Sequence, residues 1–428
     1  MCTPLRLLRA ALAGGLTLAG TAGLAACGAA TGPDGGTAGA DSLTALPRAL
    51  STGEQLAISG GNQFAFRLLR TADVGSRDNV LLSPLSVSFA LGLTMNGAAG
   101  GTLTEMQQTL GWGSASRADI NMAYRDLMTL LPTLDRANVQ VQVANGVWVR
   151  TPNQPDTGFV SEARRFFAAP VHSLPTPRAM YDSVNTWAAR TTDGRIPRVL
   201  PGDPPQDLMM LLGNVVTFAG AWRDRFDPGN TRPRPFMLDN GGTVSVPMMS
   251  RQGAFRSAML SGGAPGQPTV IAAELPYGNS AYSMLLLMPS SGGVSTLVQR
   301  LDTALYGQIS RALLPSSGGE IALPTFSLMR SRDLSRALMS LGMPRAFGAG
   351  AEFPRLFPSV RTAIDFVQHA VAVRVDEQGT RAAGVTVVGI TRVSLPAGFV
   401  FDRPFVFLIR ERLSGTILFA GVVRDPRA

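Results

Sequence analysis

The sequence predicts an α+β fold in one large domain. Three observations carry this reading: helical spacing prevails in the first part of the chain, strand-like runs prevail in the last, and the two never alternate as a parallel βα fold requires. No internal repeat is present, and no shift in composition marks a second domain.

In chain order, Asn62–Leu69 sets Phe64 and Leu68 four apart, on one face of a helix. Ser83-Pro84 ahead of an apolar run to Met95 reads as an N-cap with proline at the first helical position. Val139–Val143 alternates strictly with glutamine and continues to Val147 and Val149, the pattern of a half-buried strand. Tyr181–Thr191 returns to helical spacing through Val184 and Trp187, and Asp333–Leu341 does so through Leu334, Leu338 and Leu341. Val215–Phe218, Tyr282–Met288, Ile321–Leu328, Val371–Val375, Phe405–Ile409 and Ile417–Val423 are apolar or alternating runs bounded by Gly, Pro or Asp, and read as strands.

Residues 1–26 read as a targeting segment. Arg6 and Arg9 precede the apolar run Leu5–Leu24, which ends in Leu24-Ala25-Ala26-Cys27. That ending resembles a bacterial lipobox, in which the chain is cut before the cysteine and Cys27 carries the lipid. The other readings are an ordinary secretory signal or a retained membrane helix. The helix fits poorly, because Gly14, Gly15, Gly20 and Gly23 interrupt a run of marginal length. Residues 27–45 hold almost no bulky apolar side chain before Leu43, so they are expected to be a flexible tether. Residues 46–428 remain for the domain, enough chain for a sizeable core. The reading is therefore of an exported protein, lipid-anchored at the outer face of the cell membrane or secreted.

Cys2 and Cys27 are the only cysteines, which leaves the domain without a disulfide or a thiolate metal site. No lysine is present, so every basic side chain is arginine. The net charge is +9, or +7 once Arg6 and Arg9 are set aside, but no stretch interleaves arginines with aromatics as nucleic-acid binding needs. Enzyme readings are weak. Only His172 and His369 are available, and the nucleophile-elbow, zinc-helix, phosphate-loop and dinucleotide motifs are all missing. Asp376 and Glu377 are adjacent on a strand and point to opposite faces, so they cannot flank one substrate atom. No catalytic residue, metal or cofactor is expected.

Residues 378–398 stand out. They follow one strand and precede another, yet exceed the roughly 12–15 residues beyond which a loop in a compact domain is functional or disordered. The stretch is also built of small and β-branched residues. Thr380, Ala382, Gly384, Thr386 and Val388 form one uncharged face; Arg381, Ala383, Val385, Val387 and Gly389 form the other. Such a segment is fit to enter a sheet as a strand, burying the first face and leaving Arg381 in water. The alternative is an ordinary edge hairpin with a long tip.

From about Asn62 to Pro426 the chain resembles the serpin family. Its pieces fall in family order: Asn79–Ser86, Gly97-Ala98 with Thr102–Leu110, Ala144-Asn145-Gly146-Val147-Trp148, Asn185 and Trp187 with Thr191–Ile196, Asn214 through Phe218, Gly220 and Trp222 to Phe226, Val246–Met249, Glu274–Tyr277, Leu323–Phe326, Leu341–Phe347, Asp402–Phe405 and Leu418–Pro426. The resemblance implies three β-sheets, eight or nine helices and a reactive loop that is exposed or inserted. It implies a monomer that serves serine proteases as a suicide substrate: the protease acylates the loop, and the cut loop inserts into the central sheet. Glu377, Gly379, Thr380, Ala382, Ala383, Gly384 and Thr386 then fall on the hinge, and the family's spacing puts the reactive bond at Val393–Ser394. Valine before the cut implies an elastase-like or subtilisin-like target; a register slip to Arg392 implies a trypsin-like one. His369 aligns with the shutter histidine, expected to hydrogen-bond Asn214, Ser83 and Ser86, and Trp222 with the breach where insertion begins. Two positions depart from the pattern. Arg381 stands where many inhibitory members are acidic, and Thr325 replaces a basic residue that in some relatives pairs with the position of Glu377. The rival within the family is a non-inhibitory carrier, chaperone or plain substrate. Outside it, the rival is an unrelated envelope-binding lipoprotein.

Overall fold

Ser51 starts the first helix, Thr52–Asp73, by accepting from the Glu54 backbone N–H while the Glu54 carboxylate returns a bond to the Ser51 N–H. The structure, a computed structural model, describes residues 42–261, 269–316, 318–380 and 398–428. Among these are nine α-helices and three sheets, the architecture the sequence implied.

The seven-stranded sheet runs Val80–Leu82, Ile417–Val423, Phe405–Glu411, Tyr282–Pro289, Val270–Tyr277, Arg256–Leu260, Leu314–Pro315. Its three middle strands, Tyr282–Pro289, Phe405–Glu411 and Ile417–Val423, are buried at every position, which is why they read as unbroken apolar runs. Two polar clusters are sealed into this body. Arg410 reaches the Glu274 carboxylate at 2.6 Å with both side chains at most 4% exposed, and also bonds Tyr306 and Ser310. Arg424 pairs with Asp73 at 2.6 Å. Sequence patterning gave no sign that these arginines are core residues.

The four-stranded sheet is ordered Phe399–Val400, Gly319–Pro324, Thr243–Gly253, Arg232–Met237. Here one expectation is corrected. Ile321–Leu328 is not a single strand: Gly319–Pro324 belongs to this sheet and Phe326–Asp333 edges the central one. Pro324 has no N–H to continue a ladder, and the Thr325 N–H turns to the Pro247 carbonyl. The helix expected from Asp333 starts at Ser335, because Asp333 ends the strand and its carboxylate accepts from the Ser335 N–H and hydroxyl.

The central six-stranded sheet is ordered Phe326–Asp333, Gln368–Asp376, Gly379–Thr380, Met210–Ala221, Val139–Arg150, Val171–Leu174. One face is covered by helix Pro84–Met95, buried along almost its whole length; the other carries helix Pro177–Thr191, whose Met180, Tyr181 and Val184 pack with Trp148, Leu200, Leu208 and Leu211. The packed body reaches back beyond residue 46: Leu43, the first bulky apolar side chain after Cys27, lies against the core and its N–H bonds the Asn279 carbonyl.

Candidate functional site

The site grows out of one short hairpin. Strand Gln368–Asp376 turns at Glu377-Gln378 and comes back as Gly379–Thr380. On one side Thr380 pairs with Val375 and Gly379 with Asp376; on the other, Thr380 pairs with Gly220 and Gly379 with Ala221. The hairpin is therefore inside the sheet, not at an edge, and residues 377–380 are not part of an exposed loop. Gly379 has φ +150°, and a Cβ there would sit 2.0 Å from the Gly220 carbonyl oxygen, so only glycine fits so close to the neighbouring strand.

Thr380 points inward and is 2% exposed. Its hydroxyl lies 2.6 Å from the Tyr277 phenol, whose pKa is pushed up by burial. The Tyr277 ring stacks on Trp222, centroids 4.4 Å apart and planes 11° from parallel. The indole N–H of Trp222 donates to the Asp376 carbonyl at 2.8 Å, and its backbone N–H to the Gln378 carbonyl at 2.9 Å. The Phe226 N–H donates to the Glu377 carbonyl, and the Thr231 hydroxyl to the Glu377 carboxylate at 2.6 Å. Glu377 is thus held by a neutral donor, Thr231.

Farther down the sheet, Ser83 caps helix Pro84–Met95. Its hydroxyl donates to the Leu418 carbonyl, and its N–H donates to His369 Nε2 at 3.0 Å. Nε2 must be unprotonated to accept that bond. Burial first, and then the nearby Arg332 guanidinium, lower the His369 pKa to about 4, so the ring is neutral at neutral pH. The Ser86 hydroxyl donates to Asn214 Oδ1, and Asn214 Nδ2 to Asn145 Oδ1 at 2.7 Å. Of the expected His369 bonds only that with Ser83 is made; those to Asn214 and Ser86 are not, because Ser86 turns to Asn214. The Gly379–Thr380 strand holds the two parent strands about 10 Å apart, two interstrand spacings. Among the described residues those strands share no ladder of their own; each pairs with the hairpin. Below the hairpin a cavity of about 430 Å³ lies between them, lined by Met210, Leu212 and Asn214 on one side, His369 and Ala370 on the other, and Ser86 beneath.

Of the residues singled out from sequence, Glu377, Gly379, Thr380 and Trp222 meet at the top of this slot, and Ser83, Ser86, Asn214 and His369 flank it lower down. Ala382, Ala383, Gly384, Thr386, Arg392, Val393, Ser394 and Cys27 lie outside the described residues. Tyr277, Thr231 and Asn145 were missed as site residues. Tyr277 and Asn145 stand in stretches the resemblance quoted, but nothing local signals Thr231. His172 is exposed and stacks on Trp148.

A family model described as Serpin (serine protease inhibitor) matches residues 59–426. Glia-derived nexin of Rattus norvegicus is 29% identical over 362 residues, covering 82% of this chain and 88% of that protein. Serpin B9 of Homo sapiens is 30% identical over 376 residues, covering 85% and 97%. Iripin-2 of Ixodes ricinus is 32% identical over 375 residues, covering 85% and 91%. Among solved structures, native protease nexin-1 with heparin is similar at TM-score 0.76 and 27% identity, covering 87% of this chain and all of that one. The thermophilic serpin Tengpin in its native state is similar in fold at TM-score 0.77 and 24% identity, covering 90% and 97%.

Proposed function

Because the chain belongs to the serpin family, we propose that it inhibits serine proteases as a suicide substrate, by inserting its cleaved loop into the central sheet. One observation carries the reading: Gly379–Thr380 is paired on both edges inside that sheet, directly above a slot across which, among the described residues, the two flanking strands share no ladder. A strand added between them pairs its backbone N–H and C=O groups with both edges. The residues next in line on the inward face, Ala382, Gly384 and Thr386, are small and uncharged, fit for burial against helix Pro84–Met95.

The chemistry belongs to the protease. Its serine attacks the carbonyl carbon of Val393, the bond to the Ser394 nitrogen breaks, and the new amine leaves with a proton. An acyl ester then joins the protease to the loop. Insertion drags the ester away before water hydrolyses it, so the outcome rests on relative rates. Valine at the acyl position suits elastase-like or subtilisin-like pockets; cleavage after Arg392 instead marks trypsin-like targets. The inhibitor acts as a monomer, exported and held at the outer face of the membrane by lipid on Cys27.

Mixing the full chain with elastase, subtilisin and trypsin tests the reading. It expects a complex that survives SDS with elastase or subtilisin, and a released peptide beginning at Ser394. Clean cleavage with no such complex sinks inhibition, and a peptide beginning at Val393 shifts the bond to Arg392. Labelled fatty acid should enter the chain and be lost with Cys27→Ser; label that persists in that variant removes the anchor.

A further inference from the structure

Residues 42–50, just ahead of the first helix, are laid along the body and end at the top of the slot. Leu43, Leu46 and Leu50 pack against the core, and Arg48 is clamped to the buried Glu54 by two bonds of 2.6 and 2.8 Å. At the far end the Leu43 N–H donates to the Asn279 carbonyl at 2.7 Å, and its carbonyl accepts from Arg412 at 2.9 Å. The Ser42 hydroxyl meets the Arg223 guanidinium, which also reaches the Ser280 hydroxyl at 3.0 Å.

Asn279 and Arg223, two of the residues that Leu43 and Ser42 bond, and Ser280, which Arg223 reaches, flank the receptor for Thr380. Asn279 and Ser280 form the turn after Tyr277, whose hydroxyl meets Thr380; Arg223 follows Trp222, on which Tyr277 stacks. The turn is closed on the sheet by the Gly278 N–H to the Ala221 carbonyl at 3.0 Å, and Ala221 is the register partner of Gly379. The turn is costly to hold, since Ser280 is a non-glycine residue at φ +67°. Arg412 pins it a second time through the Ser280 carbonyl at 2.8 Å.

We propose that Ser42–Leu50 is a strap that positions the Tyr277–Trp222 receptor, and so sets how fast the cleaved loop threads into the sheet. Leu43 and Arg223 are its positioning residues; among the described residues neither bonds the Glu377–Thr380 hairpin. The idea rests on the loop-insertion reading. The strap leaves the separation of the two parent strands alone and keeps the receiving side prebuilt. Loosening it slows insertion and turns inhibitor into substrate. Loss of one of its bonds, worth about 1 kcal/mol, corresponds to roughly fivefold in rate.

Leu43→Pro in the full chain removes the N–H to Asn279 and, with it, the leucine side chain's packing on the core. Arg223→Ala is the second variant, reading the other anchor. Each protein is cut in its loop with subtilisin, and insertion is followed as the gain in thermal stability with time; the ratio of trapped to merely cleaved product is measured in parallel. Insertion about fivefold slower in both variants, with a matching fall in trapped product and Leu43→Ile behaving as wild type, is the expected result. Variants that insert at the wild-type rate while losing melting temperature before cleavage make the segment ordinary packing and overturn the strap. Wild-type protein that gains no stability on cleavage overturns the insertion reading and the strap with it.

Discussion

The Tyr277–Thr380 bond gives the sharpest test of how the hinge is held. Both side chains are buried, their oxygens are 2.6 Å apart, and among the described residues neither hydroxyl bonds another side chain. Tyr277→Phe keeps the ring on Trp222 and removes only the hydroxyl, stranding that of Thr380 in a dry site. A buried, unsatisfied hydroxyl costs about 1–3 kcal/mol. Thr380→Val is nearly isosteric and strands the tyrosine hydroxyl instead, at similar cost. The double variant removes both polar groups, leaves nothing unsatisfied and should lose no more than either single change. The cycle therefore predicts a coupling energy of at least about 1–3 kcal/mol, the size of one stranded-hydroxyl penalty. Urea unfolding of the four proteins, followed by far-ultraviolet circular dichroism, measures it. Penalties that add to within about 0.5 kcal/mol would show that the hinge does not depend on this bond.

Three further outcomes follow from the same geometry. Gly379→Ala drives a methyl into the Gly220 carbonyl at a backbone angle only glycine takes easily, so it should cost about 1–3 kcal/mol and expose residues 377–380 to proteases; an unchanged unfolding midpoint refutes it. His369 has a folded pKa of about 4, against the 6.5 of an unperturbed histidine. The unfolded chain therefore binds a proton first, and stability present above pH 6.5 falls by about 3 kcal/mol as the pH drops to 4. His369→Gln, which can still accept from Ser83, should flatten that part of the pH–stability curve, and an unchanged slope assigns it to other groups. Arg410→Met takes from buried Glu274 its closest ion-pair partner and leaves it Arg256 at 2.9 Å and Ser283. It should cost about 3 kcal/mol, partly restored by Glu274→Gln, and a loss below about 1 kcal/mol contradicts a buried pair.

What the sequence revealed depended on how local the cause was. Helix Pro84–Met95 starts and stops where expected, since a serine cap, a first-position proline and an apolar run all act within one segment. The strand around Val215–Phe218 was read too short, because Gly213, Asn214 and Gly220 break its pattern; they are there for close approach and for the shutter bonds. The split at Thr325 was invisible, as apolar alternation continues across two strands that belong to different sheets. The inward face of the loop was legible at Thr380 from period two alone. Its seat on Tyr277 was not, because that partner is 103 residues away. The missing His369–Asn214 bond has the same origin: the residues were identified, but whether the strands between them stand apart is decided by a hairpin elsewhere in the sheet.

The edge strand Val80–Leu82 carries a consequence for biosynthesis. It pairs with Ala420–Val422, and just before it the Asn79 side chain binds the Asp425 carbonyl, 346 positions away, and accepts from the N–H groups of Arg424 and Asp425. A nascent chain makes this strand early and its partner late, so the seven-stranded sheet cannot close while synthesis is under way. Until then the apolar runs of the first half are exposed and depend on not finding one another wrongly. The same delay applies to Gly379–Thr380, which is made long after the Met210–Ala221 strand it pairs with. The order of synthesis thus leaves the central sheet assembled last at the Gly379–Thr380 hairpin.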